Sequence, residues 1–99
     1  MSGTDLLKQL QRYDSGALAA LMGLYYDDLH NYGARITTDK ALVKDCIQEI
    51  FISLWQRRET ADTILSPKFY FLRAIKNKIL KSLHKNNYTA FPNKEYDFS

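Results

Sequence analysis

Apolar residues return every three or four positions through most of this sequence. The repeat is clearest between residues 42 and 55, where it runs unbroken for four turns, and Gly and Pro together number only six in the whole chain. This period places apolar side chains on one face of an α-helix, whereas a half-buried strand would alternate with a period of two. The pattern therefore predicts an all-α fold, a compact bundle of about four helices.

Helix start and stop signals divide the chain into four helical segments. The first covers about residues 5–12, and the second follows residues 14–16 and ends near residue 36. The third begins near residues 38–39 and ends around 57 or 58, and the fourth runs from residue 67 to about 85. Thr4 is a suitable N-cap for the first helix and Ser66 for the fourth, where Pro67 takes a position that needs no N–H. Residues 57–65 lose the helical period, so they predict a short ordered loop.

Length and composition predict one domain over residues 1–86, since 99 residues suffice for a single modest core. The composition after Lys85 changes to that of a linker, which we expect over residues 87–99. No stretch approaches the roughly 20 apolar residues of a membrane span, and no basic segment followed by an apolar run opens the chain. The sequence thus predicts a soluble, cytoplasmic protein with no membrane partner.

No combination of side chains in the sequence favours catalysis. Cys46 is the single cysteine and lies among apolar neighbours, which is typical of a buried structural thiol. His30 and His84 are isolated and lack metal-ligand spacing, and there is no Gly-rich phosphate loop. We expect no enzyme activity, no catalytic residues, no metal and no cofactor.

Positive charge is concentrated in the fourth segment. Residues 66–85 hold six basic residues and no acidic ones, whereas residues 14–65 hold five basic and eight acidic residues. Clustered cations gain free energy by displacing counterions from phosphates, which favours a polyanionic partner. A basic helix face that is merely solvated would give the same pattern, so charge alone leaves both interpretations open.

A projection of the fourth helix separates two faces. One arc is apolar and should pack on the other helices: Phe69, Leu72, Ile75, Ile79 and Leu83. The opposite arc carries Tyr70, Arg73, Asn77, Lys81 and His84, with Lys78 beside it. An aromatic ring, an amide and several cations are what single-stranded nucleic acid requires, although duplex recognition uses the same residue types.

The third helix has a polar side opposite its apolar arc. This side carries Asp45, Gln48, Glu49, Ser53 and Gln56. Acidic and amide groups suit a protein partner with basic side chains better than they suit DNA. A solvated surface remains the alternative interpretation.

Two motifs resemble those of the extracytoplasmic-function sigma factors of bacterial RNA polymerase. Residues 45–51, Asp-Cys-Ile-Gln-Glu-Ile-Phe, followed by Trp55, resemble the Asp-x-x-Gln-Glu-x-Phe-x-x-x-Trp signature of their second conserved region. Residues 71–77, which end in Asn77, resemble a later motif of that region at the expected distance. The similarity covers about residues 5–86. It implies a transcription initiation factor with the helical fold of that region.

The resemblance also implies partners and residue roles. The helix with the first motif would dock on the coiled-coil clamp helices in the largest subunit of core RNA polymerase, through Asp45, Gln48, Glu49 and Gln56. The fourth helix would recognise the minus-ten promoter element and capture a base flipped from the single-stranded non-template strand. Asn77 would read that base and Arg73 and Lys81 would hold the backbone, with Tyr70, Lys78 and the loop of residues 57–62, including Arg57 and Arg58, around them.

Other expectations follow from what the sequence lacks. A full sigma factor of this type has a second, helix-turn-helix domain, and nothing here resembles it, so we expect a fragment that ends in the linker. An anti-sigma factor is a further candidate partner.

The main alternative function is a helical interaction module whose basic face binds an acidic protein. A duplex-binding helix-turn-helix is disfavoured because the loop of about nine residues exceeds the usual three or four.

Overall fold

The described part of the chain forms four α-helices and one short 3-10 helix. The computed structural model describes residues 2–90, with side chains as far as Lys85. The elements are α1 (Gly3–Gln11), α2 (Ser15–Ile36), α3 (Lys40–Gln56), the 3-10 helix η1 (Arg58–Thr63) and α4 (Pro67–Ala90). The described residues contain no strand. The predicted all-α bundle is confirmed.

Short polar side chains begin the first three helices. The side chain of Ser2 accepts the N–H of Asp5 at 3.2 Å, so Ser2 caps α1 and the predicted cap, Thr4, is wrong. Asp14 and Asp39 cap α2 and α3, and the carboxylate of Asp39 accepts the N–H of Leu42 at 3.1 Å. Each such cap stabilises a helix by about 1 kcal/mol because it satisfies an otherwise unpaired N–H group.

Pro67 opens α4 as predicted. The carbonyl of Ser66 accepts the N–H of Tyr70 at 2.9 Å, which is the first hydrogen bond of the helix. The helix continues to Ala90, five residues past the predicted end, so the first four residues of the predicted linker are helical. Residues 91–99 of that linker lie outside the described part of the chain. The loop between α3 and α4, residues 57–66, is ordered by the turns of η1.

The buried side of α4 differs from the predicted one. Phe71, Ile75 and Ile79 are fully buried and recur every four residues, whereas Phe69 is 71% exposed. The prediction that Phe69 belongs to the core is therefore wrong. The reason is that α4 packs against both α2 and α3, and this double contact turns its buried arc away from Phe69.

Three helices meet closely at Gly33 of α2. A β-carbon at this position would lie 2.8 Å from Cγ1 of Val43 in α3 and 3.1 Å from Cδ1 of Ile79 in α4. Both distances are shorter than the usual contact between carbon atoms, about 3.5–4.0 Å. Glycine is thus what allows α2 to approach α3 and α4 at the centre of the bundle.

Two structural features are absent from the described residues. None of their helices is both long enough and apolar enough to cross a membrane. They also hold no group of three or more His, Cys, Asp or Glu side chains that could bind a metal ion. Cys46 is 2% exposed within the core, and this burial raises the pKa of its thiol. The thiol therefore stays protonated at neutral pH, which agrees with the predicted structural role.

Candidate nucleic-acid interface

The polar arc of α4 faces solvent. Arg73, Asn77, Lys81 and His84 are exposed, on the side of the helix opposite its buried residues. With half-buried Tyr70 they form the surface that we name the α4 stripe. The stripe combines cations, an amide and a ring, and its exposure makes these groups accessible to a strand lying along the helix.

Tyr70 is fixed from two sides. Its hydroxyl accepts a hydrogen bond from Nη2 of Arg57 at 2.9 Å. Its ring packs edge-on against Phe71, with centroids 5.4 Å apart and planes at 73°. These contacts join the loop residue Arg57 to the first turn of α4, as the predicted grouping of loop and helix requires.

Two cavities share a wall where the loop meets α4. The inner one is enclosed by the loop and the last turns of α3, and its lining is Leu54, Arg57, Thr60, Ala61, Thr63, Ile64 and Tyr70. The outer one opens beside the stripe and is lined by Thr63, Ile64, Leu65, Ser66, Phe69, Tyr70 and Arg73. The outer cavity is mainly apolar with a few polar groups, a composition typical of small-molecule binding sites.

The outer cavity owes its apolar surface to two residues that the sequence pattern did not assign to a site. Leu65 is 92% exposed and Phe69 is 71% exposed. Both side chains line the same cavity as Arg73, and exposed apolar surface rimmed by polar groups is a feature of binding sites. Leu65 could have been suspected from its position in a loop without helical period, but Phe69 could not, because it fits an apolar arc.

Arg58 is packed rather than free. Its guanidinium carbon lies 4.2 Å from the ring centroids of both Tyr13 and Trp55. Nη1 donates to the carbonyl of Trp55 at 2.6 Å, and the buried Nε has no hydrogen-bond partner among the described residues. This placement favours a structural role for Arg58, while its contact with DNA stays a prediction.

Lys78 and Glu49 were expected to bind different partners, but they bind each other. Nζ of Lys78 lies 3.4 Å from Oε1 of Glu49, so Lys78 turns toward α3 and away from the α4 stripe. An ion pair this exposed contributes at most about 1 kcal/mol and can open when a partner arrives. The pair stands in a groove that separates the stripe from α3, lined by Glu49, Lys78, Lys81, Ser82 and Lys85.

The polar side of α3 is exposed, and it has an apolar centre. Asp45, Gln48, Glu49 and Gln56 are exposed as expected, and Ile52 among them is 56% exposed. Ile52 is the neighbour of Gln48, Glu49 and Gln56 on the helix surface, because it lies three or four residues from each. We name these five residues the α3 face. Apolar anchors surrounded by polar groups are typical of protein interfaces.

Comparison with known proteins identifies the family. A family model described as sigma-70 region 2 matches residues 21–88, more than half of the chain. No match was found among curated proteins or among solved structures. The matched residues include α3, η1 and nearly all of α4, which carry both surfaces described above. The chain therefore belongs to the sigma-70 region 2 family, the part of a sigma factor that binds RNA polymerase and recognises promoter DNA.

Proposed function

We propose that this chain is the promoter-melting domain of a sigma factor of the extracytoplasmic-function type. It acts in the cytoplasm, holds core RNA polymerase with the α3 face, and holds the non-template strand of the minus-ten element with the α4 stripe. The observation that carries the proposal is the continuity of the exposed stripe with the outer cavity. Arg73 belongs to both, so a strand lying along α4 would bring a base to the cavity mouth.

Melting in this proposal uses binding energy and no chemical step. Unstacking and unpairing a base costs a few kcal/mol, and the base regains part of this by stacking on Phe69 and Tyr70 in the outer cavity. Asn77 lies one helical turn beyond Arg73, about 6 Å along the axis, where its amide can hydrogen-bond a base edge. Arg73 and Lys81 then attract the flanking phosphates.

The α3 face is the proposed contact with the clamp helices of the largest polymerase subunit. Asp45 and Glu49 supply negative charge for basic side chains, and Gln48 and Gln56 supply hydrogen bonds. Ile52 is the apolar anchor at the centre. An anti-sigma factor that restrains this protein would have to cover the α3 face or the α4 stripe, because each is needed for one of the two partners.

We expect Lys81→Ala to weaken the binding of single-stranded promoter DNA and to reduce its salt dependence. Loss of one phosphate contact lowers the slope of log affinity against log salt by about 0.7 for a single strand. The measurement is fluorescence anisotropy of a labelled non-template oligonucleotide with the chain on core polymerase, over a range of salt concentrations. Lys68→Ala is the matched control, since Lys68 is exposed on the other side of α4, beside Asp28 and Tyr32 of α2.

The proposal predicts different salt dependences of DNA binding for the two lysine variants. The slope should fall for Lys81→Ala and stay at the wild-type value for Lys68→Ala. Equal slopes for all three proteins would remove Lys81 from the DNA contact. A wild-type chain whose binding does not depend on salt would remove the α4 stripe altogether and favour a protein-interaction module.

A further inference from the structure

The turn between α1 and α2 has a backbone conformation that its residue does not favour. Tyr13 has φ 67°, and it is the only non-glycine residue with positive φ in the described chain. Its N–H donates to the carbonyl of Leu10 at 2.9 Å and the N–H of Asp14 donates to that of Gln9 at 3.4 Å. This is the hydrogen-bond pattern of a helix C-terminus that glycine usually completes. A tyrosine held there despite the strain suggests that its side chain is used.

The side chain of Tyr13 reaches across to η1. Its hydroxyl donates to Oε2 of Glu59 at 2.8 Å, and this hydrogen bond raises the pKa of the phenol, so the group stays protonated and able to donate at neutral pH. Its ring covers one face of the Arg58 guanidinium. Two residues earlier, Nε2 of Gln11 donates to the backbone carbonyl of Glu59 at 3.0 Å. We name Gln11, Tyr13, Arg58 and Glu59 the loop clamp.

Outside the loop clamp, the loop is held by the hydrogen bond from Arg57 to Tyr70, by the packing of Arg58 on Trp55 and by the burial of Ala61. Its internal backbone hydrogen bonds include those from Thr60 to Arg57 at 3.1 Å and from Ile64 to Ala61 at 3.2 Å. A 3-10 helix of this length has poor hydrogen-bond geometry and does not persist alone. Thr63, the last residue of η1, and Ile64 after it line both the inner and the outer cavity, so the conformation of η1 affects the shape of the base-binding region.

We propose that the α1–α2 turn positions the promoter-binding loop, with Tyr13 and Gln11 holding Arg58 and Glu59 so that the cavities beside α4 are formed before DNA arrives. This inference rests on the proposed function of that site. The turn lies before residues 21–88, the span that the family model matches. Preorganisation of this kind raises affinity and selectivity because the strand does not have to order the loop.

The experiment measures base choice. The full chain, bound to core RNA polymerase, selects from single-stranded non-template oligonucleotides randomised over the minus-ten positions, and the bound strands are sequenced. Tyr13→Gly removes the contacts of Tyr13 with Glu59 and Arg58 and leaves that of Gln11 in place. It also relieves the strained backbone, so the protein should stay folded. We expect the enrichment at the captured-base position to fall by roughly tenfold, as lost hydrogen-bond and ring contacts imply, while polymerase affinity is unchanged.

Further variants separate positioning from other effects. Glu59→Gln removes the charge but keeps an oxygen that accepts from Tyr13, so it should retain the wild-type base choice, whereas Glu59→Ala should not. Arg12→Ala changes an exposed neighbour in the same turn and should behave as wild type. Loss of base choice in Glu59→Gln equal to that in Glu59→Ala would mean that charge, not the hydrogen bond, matters, and would overturn the inference.

A second measurement needs no DNA. Hydrogen exchange at the amides of Thr60 and Ile64 should be roughly tenfold faster in Tyr13→Gly than in wild type. The reason is that the contacts of Tyr13 with Arg58 and Glu59 no longer oppose local opening of the loop. Wild-type exchange in this variant would overturn the inference, as would faster exchange with unchanged base choice. If wild type selects no base at all, the proposed function fails, while faster exchange in the variant would still support the clamp.

Discussion

Phe71→Ala should lower the free energy of unfolding by about 3–5 kcal/mol, enough to leave much of a domain of this size unfolded. Phe71 is fully buried, and its ring lies 5.1 Å from that of Tyr25, 5.0 Å from that of Phe51 and 5.4 Å from that of Tyr70. These contacts tie α4 to α2 and α3. Removal of the ring would leave a cavity that three helices cannot close without losing other contacts. Urea unfolding followed by circular dichroism measures the change.

Phe69→Ala is the matched control for Phe71→Ala. It removes the same side chain from the same helix, two residues earlier, where the ring is 71% exposed. We expect the free energy of unfolding to change by less than about 0.5 kcal/mol, the usual range for surface substitutions. If Phe69→Ala lowers the free energy of unfolding as much as Phe71→Ala does, Phe69 belongs to the buried face of α4, as the apolar arc predicted from the sequence.

Ile52→Asp should weaken binding to core RNA polymerase by about 2–4 kcal/mol, or roughly 30- to 1,000-fold, the range of an interface hot spot. Ile52 is 56% exposed at the centre of the α3 face, so an aspartate there costs the free protein little. In the complex it would bury a charge in the most desolvated part of the interface. The dissociation constant is measured by anisotropy of the labelled chain titrated with core polymerase.

Leu24→Asp makes the same kind of change on another surface. Leu24 is 49% exposed and lines a groove with Leu6 and Gln9 of α1. It should leave polymerase affinity at the wild-type value, because the groove is not part of the α3 face. If both aspartates weaken binding equally, or neither does, the α3 face is not the specific contact.

Much of the fold could be predicted because the signals of a helix, apolar periodicity and terminal residues, are local in the sequence. The three-and-four repeat located α2 and α3 to within a residue or two, and Pro67 marked the start of α4. The side of α4 that faces the other helices could not be predicted from such local signals. Phe69 is as apolar as the fully buried Phe71, Ile75 and Ile79, and only the positions of α2 and α3 decide which of these side chains are covered.

The candidate site was predictable where it depends on one helix and unpredictable where it depends on two. The exposure of Arg73, Asn77 and Lys81 follows from the period of α4 alone. The contact between Tyr13 and Glu59 joins residues 46 positions apart, and no local pattern signals it. The pairing of Lys78 with Glu49 likewise depends on how α4 lies on α3.

The role of Asn77 can be tested by base-resolved binding. The measurement compares wild type and Asn77→Ala, each on core polymerase, for affinity toward non-template strands that carry each of the four bases at each minus-ten position. If α4 reads an unpaired strand, the substitution should cost about 1–3 kcal/mol for the preferred base at one position and leave discrimination at the other positions intact. Equal losses at every position, or no loss at any, would contradict that role for α4.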